Sequence, residues 1–515
     1  MEEKSHHLFI RESSGLIKQV SFLDVVMLNI GNMSAGLALF TSITPYVLAG
    51  SNLLIATLIG FLFALPQAYV YTYFVTKIPR TGGDYVWISR TLNGGIGVVM
   101  ALTLMIESLA FFALTAFFAS QAIQTVFMEI GKLNSNPSLV SIGSALIQPI
   151  PSFILAFAVF AIIIGINIAK AKWGFSLITV LGIFSLATTI IALFVILANT
   201  GDFVTKTNYM VSLMNGTPLN VTIVNNRVIV ANYQGPTFSW SNTLFMLPFL
   251  ALFTFPWMQA GPAVAAEIKG KNSLKYNVYT SLILTFILVI AGYGIMYYAG
   301  GYQYTTAQYM NNGYIFTFWT AAISLAGNQV LQWIIGLGLI AWEFFVLSYG
   351  AVVFSRYIFA IAFDRVLPSF LTNVTKSGSP IFTHLLDLLA TGFFLGVIVF
   401  LGSQNAVSLY GATVLGALYF LVVGLAGIWH SIKFKVTKIF IPALITVGYF
   451  AYLTYVSATN PDFGFMQSNG TVNPITLAFV VGTLVFSAVV YIVAYLYNKR
   501  RGIDLNLIYK EIPPE

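Results

Sequence analysis

An apolar stretch of this chain is interrupted by the ten residues FTFPWMQAGP, which occupy positions 253–262. Two prolines and a glycine there remove backbone donors and loosen a helix. A second interruption, LNIGNMSAG at positions 28–36, places two glycines, two asparagines and a serine in another apolar stretch. Irregular backbone at membrane depth is tolerated only where protein or a water-filled cavity satisfies its polar groups. The two interruptions therefore predict a membrane protein with an internal polar site.

The composition of the whole chain supports this interpretation. Of its 515 residues, 58% are hydrophobic and 8% are charged, whereas soluble domains carry about 25% charged residues. The chain has no cysteine, which excludes disulfides and thiolate metal sites. No HExxH, GxSxG or P-loop pattern occurs. We therefore expect no enzyme and no cofactor, and only H⁺ or Na⁺ as a coupling ion.

Apolar stretches long enough to cross a bilayer need about 20 residues each. Because residues 1–20 are polar and no small-residue cleavage site follows the first stretch, the start is not a signal peptide. Twelve stretches meet the length requirement, at roughly 22–49, 53–76, 95–128, 151–169, 173–199, 241–266, 277–300, 327–363, 381–402, 405–430, 437–458 and 474–498.

The placement of Lys and Arg predicts the orientation of these spans. With a cytoplasmic N-terminus, the inner segments hold 21 of the 24 basic residues, and the outer segments hold Lys132, Lys206 and Arg227. A miscounted span would invert every later loop and destroy this segregation. The sequence therefore predicts twelve spans in the plasma membrane with both termini cytoplasmic. The net charge of +8 then reflects topology, not a nucleic-acid surface.

The two interruptions fall in spans 1 and 6, five spans apart, as expected for two inverted five-helix repeats with substrate between the broken helices. The predicted organisation is a cytoplasmic tail at 1–20, a first repeat (helices 1–5) at 21–199, an extracellular loop at 200–240, a second repeat (helices 6–10) at 241–430, helices 11 and 12 at 431–498, and a cytoplasmic tail at 499–515. Packing glycines and ordinary proline kinks are the alternative explanation of the two interruptions.

Three glycosylation sequons begin at Asn215, Asn220 and Asn469, all in outer segments.

Three further segments resemble one family. The loop after the second span reads IPRTGGDY at 78–85, similar to the P-x-[ST/A]-G-G-x-Y loop of the amino acid–polyamine–organocation (APC) permease superfamily. The runs AAEIKGKN at 265–272 and SRYIFAIAFDRVLP at 355–368 are similar to two other motifs of that family. The resemblance covers roughly residues 20–430. It implies an all-helical LeuT-like fold with a 5+5 inverted repeat, two peripheral helices, discontinuous helices 1 and 6, and alternating access.

The resemblance also implies a substrate site. Gly31, Asn32, Met33, Ser34, Ala35 and Gly36 are the expected cradle for a carboxylate, where the family usually reads G-S-G-I-F. Phe253, Thr254 and Phe255 lie where the family binds the amino group through unwound carbonyls. Trp257 is a candidate aromatic gate, and a plain packing aromatic is its alternative role.

Two acids occur in the middle of apolar spans, Glu107 and Glu343. Such groups are costly in a membrane, and their default interpretation is functional. Glu107 would meet a cationic substrate group or carry a proton; a neutral, hydrogen-bonded acid is the alternative. Glu343 is expected nearer the outer vestibule.

Relatives that use protons often carry a lysine in helix 5, but residues 173–199 contain none. That leaves room for Na⁺ held by Ser185, Ser348 and helix-1 carbonyls, although serines in membrane helices more often pack or bond to their own backbone.

An inner gate is the remaining expectation. Ion pairs are predicted among Lys77, Arg80, Asp84, Glu267, Arg356 and Asp364; simple positive-inside anchoring is the alternative.

Taken together, these features predict an amino acid permease driven by H⁺ or Na⁺, or an exchanger, acting as a monomer or homodimer in the lipid bilayer. A polyamine or organic-cation carrier is the alternative, favoured by Glu107 and Glu343. A non-transporting sensor or channel lacks support, because no signalling domain, filter repeat or Arg-rich helix occurs.

Overall fold

The computed structural model describes residues 9–10, 12–224, 227–231, 233–401, 411 and 413–514, and this part of the chain is almost entirely helical. The helices are α1 (Phe22–Met33), α2 (Ala35–Leu37), α3 (Leu53–Lys77), α4 (Asp84–Thr91), α5 (Gly94–Leu133), α6 (Pro137–Ala145), α7 (Pro149–Ala169), α8 (Ala171–Ala198), α9 (Phe203–Leu213), α10 (Trp240–Phe253), α11 (Ala260–Ala263), α12 (Lys271–Gly300), α13 (Tyr302–Asn312), α14 (Phe318–Leu325), α15 (Gln329–Phe363), α16 (Ile381–Leu401), α17 (Thr413–Phe434), α18 (Thr437–Thr459), α19 (Pro474–Arg500) and α20 (Leu505–Ile508). Short 3₁₀ or π segments lie at Ala38–Ser42, Thr44–Tyr46, Ala265–Glu267, Ser369–Thr372 and Pro461–Phe463.

Eleven helical segments of the described chain are long and apolar enough to cross a membrane, which confirms a multi-pass membrane protein. All eleven match predicted spans, and the first of them, Phe22–Ser42, contains the first interruption. The predicted sixth span is not among them, because α10 has only 14 residues. The count of twelve therefore stays a prediction. Residues 402–410 and 412, which include the start of the predicted tenth span, lie outside the described residues.

Several helices begin where a polar side chain caps free backbone donors. Ser21 accepts from the Asp24 N–H and Asp24 reaches back to the Ser21 N–H, which makes a capping box for α1. The side chains of Asn52, Asn93 and Asn328 accept backbone N–H groups in the first turns of α3, α5 and α15. Apolar runs give these helices their length, and the caps set where they start.

The segment 200–240, predicted as an extracellular loop between two spans, contains regular structure. Helix α9 buries Phe203, Thr207, Met210 and Val211, which recur at the spacing of a helical face. Strands β1 (Val221–Val224) and β2 (Arg227–Val230) then form an antiparallel hairpin. The strands read VTIV and RVIV and are mostly apolar, but each is only four residues long, so the composition of the segment did not mark them.

The two longest helices, α5 and α15, pack against each other closely through glycines. A Cβ on Gly336 would lie 2.5 Å from Val126 Cγ1, and one on Gly350 would lie 2.4 Å from Phe112 Cε1. Real side chains never approach so closely, so only glycine fits at either position. The residue numbers rise on one helix as they fall on the other, so α5 and α15 run antiparallel.

Candidate functional site

The first interruption is centred on Ser34. Its backbone has φ 46° and ψ 51°, a left-handed conformation that costs a non-glycine residue about 1–2 kcal/mol. The Ser34 N–H donates to the carbonyls of Ile30 (3.0 Å) and Gly31 (3.2 Å), and the chain then turns into α2. Regular helical geometry is therefore interrupted within the predicted cradle, at Ser34 between Met33 and Ala35.

The second interruption separates α10 from α11. Helix α10 ends at Phe253, and Thr254 leaves helical geometry with φ −137° and ψ −79°. The Pro256 carbonyl accepts from Gln67 Nε2 at 2.9 Å, so α3 satisfies part of the irregular backbone. Helical geometry resumes at Ala260.

Direct hydrogen bonds join the two interruptions. Ser34 Oγ donates to the Phe253 carbonyl at 3.3 Å. The Gly261 N–H donates to Asn29 Oδ1 at 2.7 Å, and Asn29 Nδ2 donates to Asn277 Oδ1 at 2.9 Å. Two segments more than 200 residues apart thus meet at their polar positions, which places the predicted residues Ser34 and Phe253 in one site.

Aromatic side chains of α15 pack directly on the first interruption. A Cβ on Gly36 would lie 2.2 Å from Trp342 Cγ, and one on Gly31 would lie 3.0 Å from Phe345 Cε2. The Gly36 carbonyl also accepts from Trp319 Nε1 at 3.4 Å. Met33 and Ala35 are fully buried. The glycines therefore serve close packing against α15 as well as backbone freedom.

Buried polar atoms without a hydrogen-bond partner mark the interior of this site. Asn32 Nδ2, Thr254 Oγ1 and Gln259 Oε1 have none among the described residues, and their side chains are at most 3% exposed. Buried polar groups are nearly always paired, so such atoms identify places for water or a ligand. Asn32 and Thr254 were predicted site residues. Gln259 was missed, although a polar side chain inside the interruption was the available signal.

Trp257 lies in an aromatic cluster beside the second interruption. Its Nε1 donates to the Leu252 carbonyl at 2.6 Å. Its ring stacks on Phe111 (centroids 6.4 Å apart) and meets Phe420 edge-on at 5.2 Å. Glu107 is buried one helical turn before Phe111, and its Oε2 has no partner among the described residues. Sequence reasoning missed Phe111 and Phe420, because their approach to Trp257 depends on tertiary packing.

Other predicted site residues take no part in the hydrogen bonds described above between the two interruptions. The ring of Phe255 packs on α3, 6.4 Å from the ring of Phe61. Ser185 Oγ is buried without a partner among the described residues. Ser348 Oγ donates to the carbonyl of Phe344 at 2.7 Å, so its hydrogen is used within its own helix. Glu343 is fully buried.

Two buried ion pairs form at the end of the bundle that carries α4, called the α4 end below. Arg356 Nε and Nη2 donate to the two carboxylate oxygens of Glu267 at 2.9 and 3.1 Å. Arg90 donates to both oxygens of Asp364 at 2.6 and 2.8 Å, and Tyr85 Oη donates to Asp364 at 2.5 Å. Ion pairing was expected for Glu267, Arg356 and Asp364, but the role of Arg90 was not.

The structure shows the partners of Asp84 and one partner of Arg80, two residues of the predicted gate. Among the described residues, Asp84 is held by three tyrosine hydroxyls rather than by a cation. Tyr71 donates to it at 2.6 Å and Tyr419 at 2.7 Å, and Tyr357 donates as well. Arg80 Nε donates to the Pro513 carbonyl at 2.6 Å, so it binds the C-terminal segment. Lys77 is exposed.

At the α4 end, backbone contacts connect the loop 78–85 and the N-terminal segment to residues 263–268. The Gly82 N–H donates to the Ala263 carbonyl at 2.9 Å, and Thr81 bridges to Val264. The N-terminal segment pairs with the same region, since Val20 and Ile268 form a parallel bridge. The loop 78–85 is therefore attached to the segment that follows the second interruption.

Acid is expected to favour the closed α4 end. Burial raises the pKa of Asp84 to about 6, against hydrogen bonds from the three tyrosines that lower it. If opening exposes Asp84 to water, its pKa falls towards the ordinary value, so the closed form binds more protons. Closure is then strongest at low pH and weakens as pH rises through about 6.

A cysteine placed at Ala263 of this cysteine-free chain checks that expectation through its rate of maleimide labelling. The rate should rise between pH 5 and pH 7 by more than thiol ionisation alone explains. The same cysteine in an Asp84→Asn background supplies the correction for thiol chemistry. Identical pH profiles in the two backgrounds would contradict the expected role of Asp84.

Together these features define a class: a multi-pass helical membrane protein with a polar site between two interrupted helices and an end closed by buried ion pairs. The chain belongs to the amino acid permease family, whose family model matches residues 20–497. This confirms the family resemblance noted in the sequence.

Two individual proteins are similar to this chain. "Uncharacterized protein 399" of Sulfolobus islandicus rod-shaped virus 1 is 24% identical over 283 residues, which cover 54% of this chain. The matched part spans 57% of the length of that relative. A solved structure described as the substrate-bound outward-open state of a Na⁺-coupled sialic acid symporter matches with 11% identity and a TM-score of 0.49. That match covers 85% of this chain and 90% of the other.

Proposed function

We propose that this protein carries amino acids across the cytoplasmic membrane by alternating access. The observation that carries the proposal is the meeting of the two interruptions, where Ser34 bonds to the Phe253 carbonyl amid buried polar atoms without partners. An amino acid presents a carboxylate and an ammonium group, which need donors and acceptors respectively. The proposed donors are Asn32 Nδ2 and backbone N–H groups of the segment 31–36, other than that of Ser34, which bonds to Ile30 and Gly31. The proposed acceptors are the carbonyls of residues 253–255.

In this proposal the α4 end is the inner gate. Release of substrate on that side requires the Arg356–Glu267 and Arg90–Asp364 pairs and the Asp84 cluster to separate or move together. Trp257, packed between Phe111 and Phe420, is the proposed aromatic gate beside the substrate.

The orientation follows from the basic residues. Arg90 and Arg356 lie at the α4 end, whereas Lys132 is at the far end of α5. The segregation of 21 of 24 basic residues then supports a cytoplasmic α4 end. We also propose residues 21–199 and 241–430 as the two inverted repeats, since the joined interruptions lie near the start of each. Exposed Asn215, Asn220 and Asn469 then face outside.

A polyamine or organic-cation substrate is the second candidate, and Glu107 favours it. This acid is 4% exposed near the Trp257 cluster, and no described ion pair includes it. An ammonium group at this point would find a carboxylate in a water-poor site, where such a pair is strong.

Uptake into proteoliposomes separates these possibilities. Labelled neutral amino acids, basic amino acids and polyamines are offered with the pH and Na⁺ gradients imposed separately. We expect uptake of an amino acid that depends on one of the two gradients or on internal substrate. Uptake of polyamines alone would favour the second candidate. Binding without uptake or counterflow would contradict transport.

Two substitutions at Ser34 test the contact that carries the proposal. Ser34→Ala removes a hydrogen bond worth about 0.5–1.5 kcal/mol and keeps the left-handed strain. We expect it to raise the KM of uptake about threefold to tenfold. Ser34→Gly removes the same bond but relieves the strain, so it should be more stable to heat than Ser34→Ala. Equal KM values for the parent and Ser34→Ala would contradict a role of this contact in binding.

A further inference from the structure

Two buried acids outside the substrate site lie on α5 and α15. Glu343 is 0% exposed and Glu129 is 1% exposed. Neither carboxyl oxygen of either residue has a hydrogen-bond partner among the described residues. A charged carboxylate buried without a cation is very costly, so a group in this setting holds a proton.

The packing of α15 shows where Glu343 points. Gly336, Glu343 and Gly350 are spaced by seven residues, about two helical turns, and so share one face. Gly336 packs on Val126 of α5 and Gly350 packs on Phe112. Glu343, midway between the glycines, therefore faces the middle of the α5 stretch between Phe112 and Val126.

That part of α5 presents small apolar side chains to the acid. Its Ala113, Ala116, Ala119 and Ala122 are fully buried. Of the other helices that pack on α15, α7, α14 and α8 from residue 173 onwards contain no titratable residue. Helix α1 contains Asp24, which accepts from Thr179 Oγ1, and α16 contains His384 and Asp387. Thr189 of α8 is engaged by Trp342 Nε1 at 3.0 Å. On α5, the acid that follows Val126 is Glu129.

Glu129 lies further along α5, towards the C-terminal end of this helix, which is the end away from α4. It lies three residues after Val126, less than one turn along the helix. Glu107 lies on the other side of the middle, one turn before Phe111 at the Trp257 cluster. With a rise of about 1.5 Å per residue, Glu129 and Glu107 lie about 15 and about 18 Å along the α5 axis from the level of Glu343.

We propose that Glu343 is a proton-binding site through which protons drive this transporter, with Glu129 on its outer side and Glu107 beside the substrate. The inference rests on the proposed transport function and identifies its coupling ion. Binding forms one O–H bond on a carboxylate oxygen and removes one negative charge; release returns the proton to water. The separations exceed hydrogen-bond length, so protons travel between the acids through water that enters the interface when α5 and α15 shift.

Proton flux in proteoliposomes tests the proposal. A pH-sensitive dye is enclosed, and an inward gradient of a substrate found by the uptake assay is applied. The parent protein should acidify the interior. Glu343→Gln should lose at least 90% of that acidification and of the accumulation driven by a pH gradient. It should keep exchange of labelled for unlabelled substrate within about threefold, because exchange needs no net proton movement. Glu343→Asp, which keeps the acid, should recover part of the proton flux.

Asp202→Asn is the matched control, since Asp202 is an exposed acid paired with Lys206. It should behave as the parent protein. Unchanged proton flux per substrate in Glu343→Gln would overturn the proposal, and so would failure of Glu343→Asp to recover flux while its exchange persists. A parent protein that carries substrate without protons would overturn the proton site and leave the transport function standing. No transport of any substrate by the parent would overturn both.

Discussion

Arg356→Met is expected to lower the free energy of unfolding by about 3–5 kcal/mol, the usual cost of breaking a buried ion pair. The substitution leaves the Glu267 carboxylate at 0% exposure without its two guanidinium bonds. It also removes the stacking of the guanidinium on the Phe175 ring, which lies 5.3 Å away. Thermal unfolding in detergent should show a large fall in the midpoint temperature.

The double variant Arg356→Met, Glu267→Leu separates the cost of the orphaned charge from the value of the pair. Replacing both partners by apolar side chains often restores stability, so most of the loss should be recovered. Lys206→Met is the surface control, because the exposed Lys206–Asp202 pair contributes at most about 1 kcal/mol. A single variant as stable as the parent would contradict a buried ion pair at this position.

Gly83→Ala is expected to prevent closure of the α4 end and to reduce uptake more than tenfold. Gly83 has φ 44° and ψ −114°, a conformation that disfavours residues with a Cβ. A Cβ there would lie 2.8 Å from both the carbonyl carbon and the oxygen of Pro262. Those are backbone atoms at the second interruption, so neither can rotate away.

Labelling of a cysteine at Ala263 reports the closure directly, and Gly83→Ala should label faster than the parent at every pH. Gly201→Ala is the matched control, since nothing lies within 4 Å of the added carbon and its φ is ordinary. That variant should transport and label as the parent does. Slow labelling of Gly83→Ala together with full uptake would show that the loop 78–85 tolerates the methyl group.

The sequence predicted features whose cause is local. Apolar runs set the spans, and the polar and proline residues at 28–36 and 253–262 marked where regular helix would fail. The meeting of Ser34 with Phe253 agrees with the expectation that these segments share a site, although substrate contacts themselves stay predictions. Segment 200–240 shows the limit, because its helix of 11 residues and its strands of four residues are too short to stand out from the sequence.

Features that depend on contacts between distant segments were not predictable. Asp84 was expected to meet a cation, yet its partners are tyrosines from α3, α15 and α17, and nothing in their sequence context marks them as a group. Arg90 was visible only as a basic residue of a loop. Glu129 lies near a helix end, where the sequence alone suggests a solvated acid, yet it is buried in the structure.

The pairing of Val20 with Ile268 has a mechanical consequence. This bridge joins the segment before α1 to the segment before α12, and Asn29 within α1 bonds to Gly261 of α11 and Asn277 of α12, so α1 is attached at three points. Helices α1, α11 and α12 would then move as one rigid body during the transport cycle. Spin labels on α1 and α12 should then keep one separation in every state, while labels on α1 and α5 should report two.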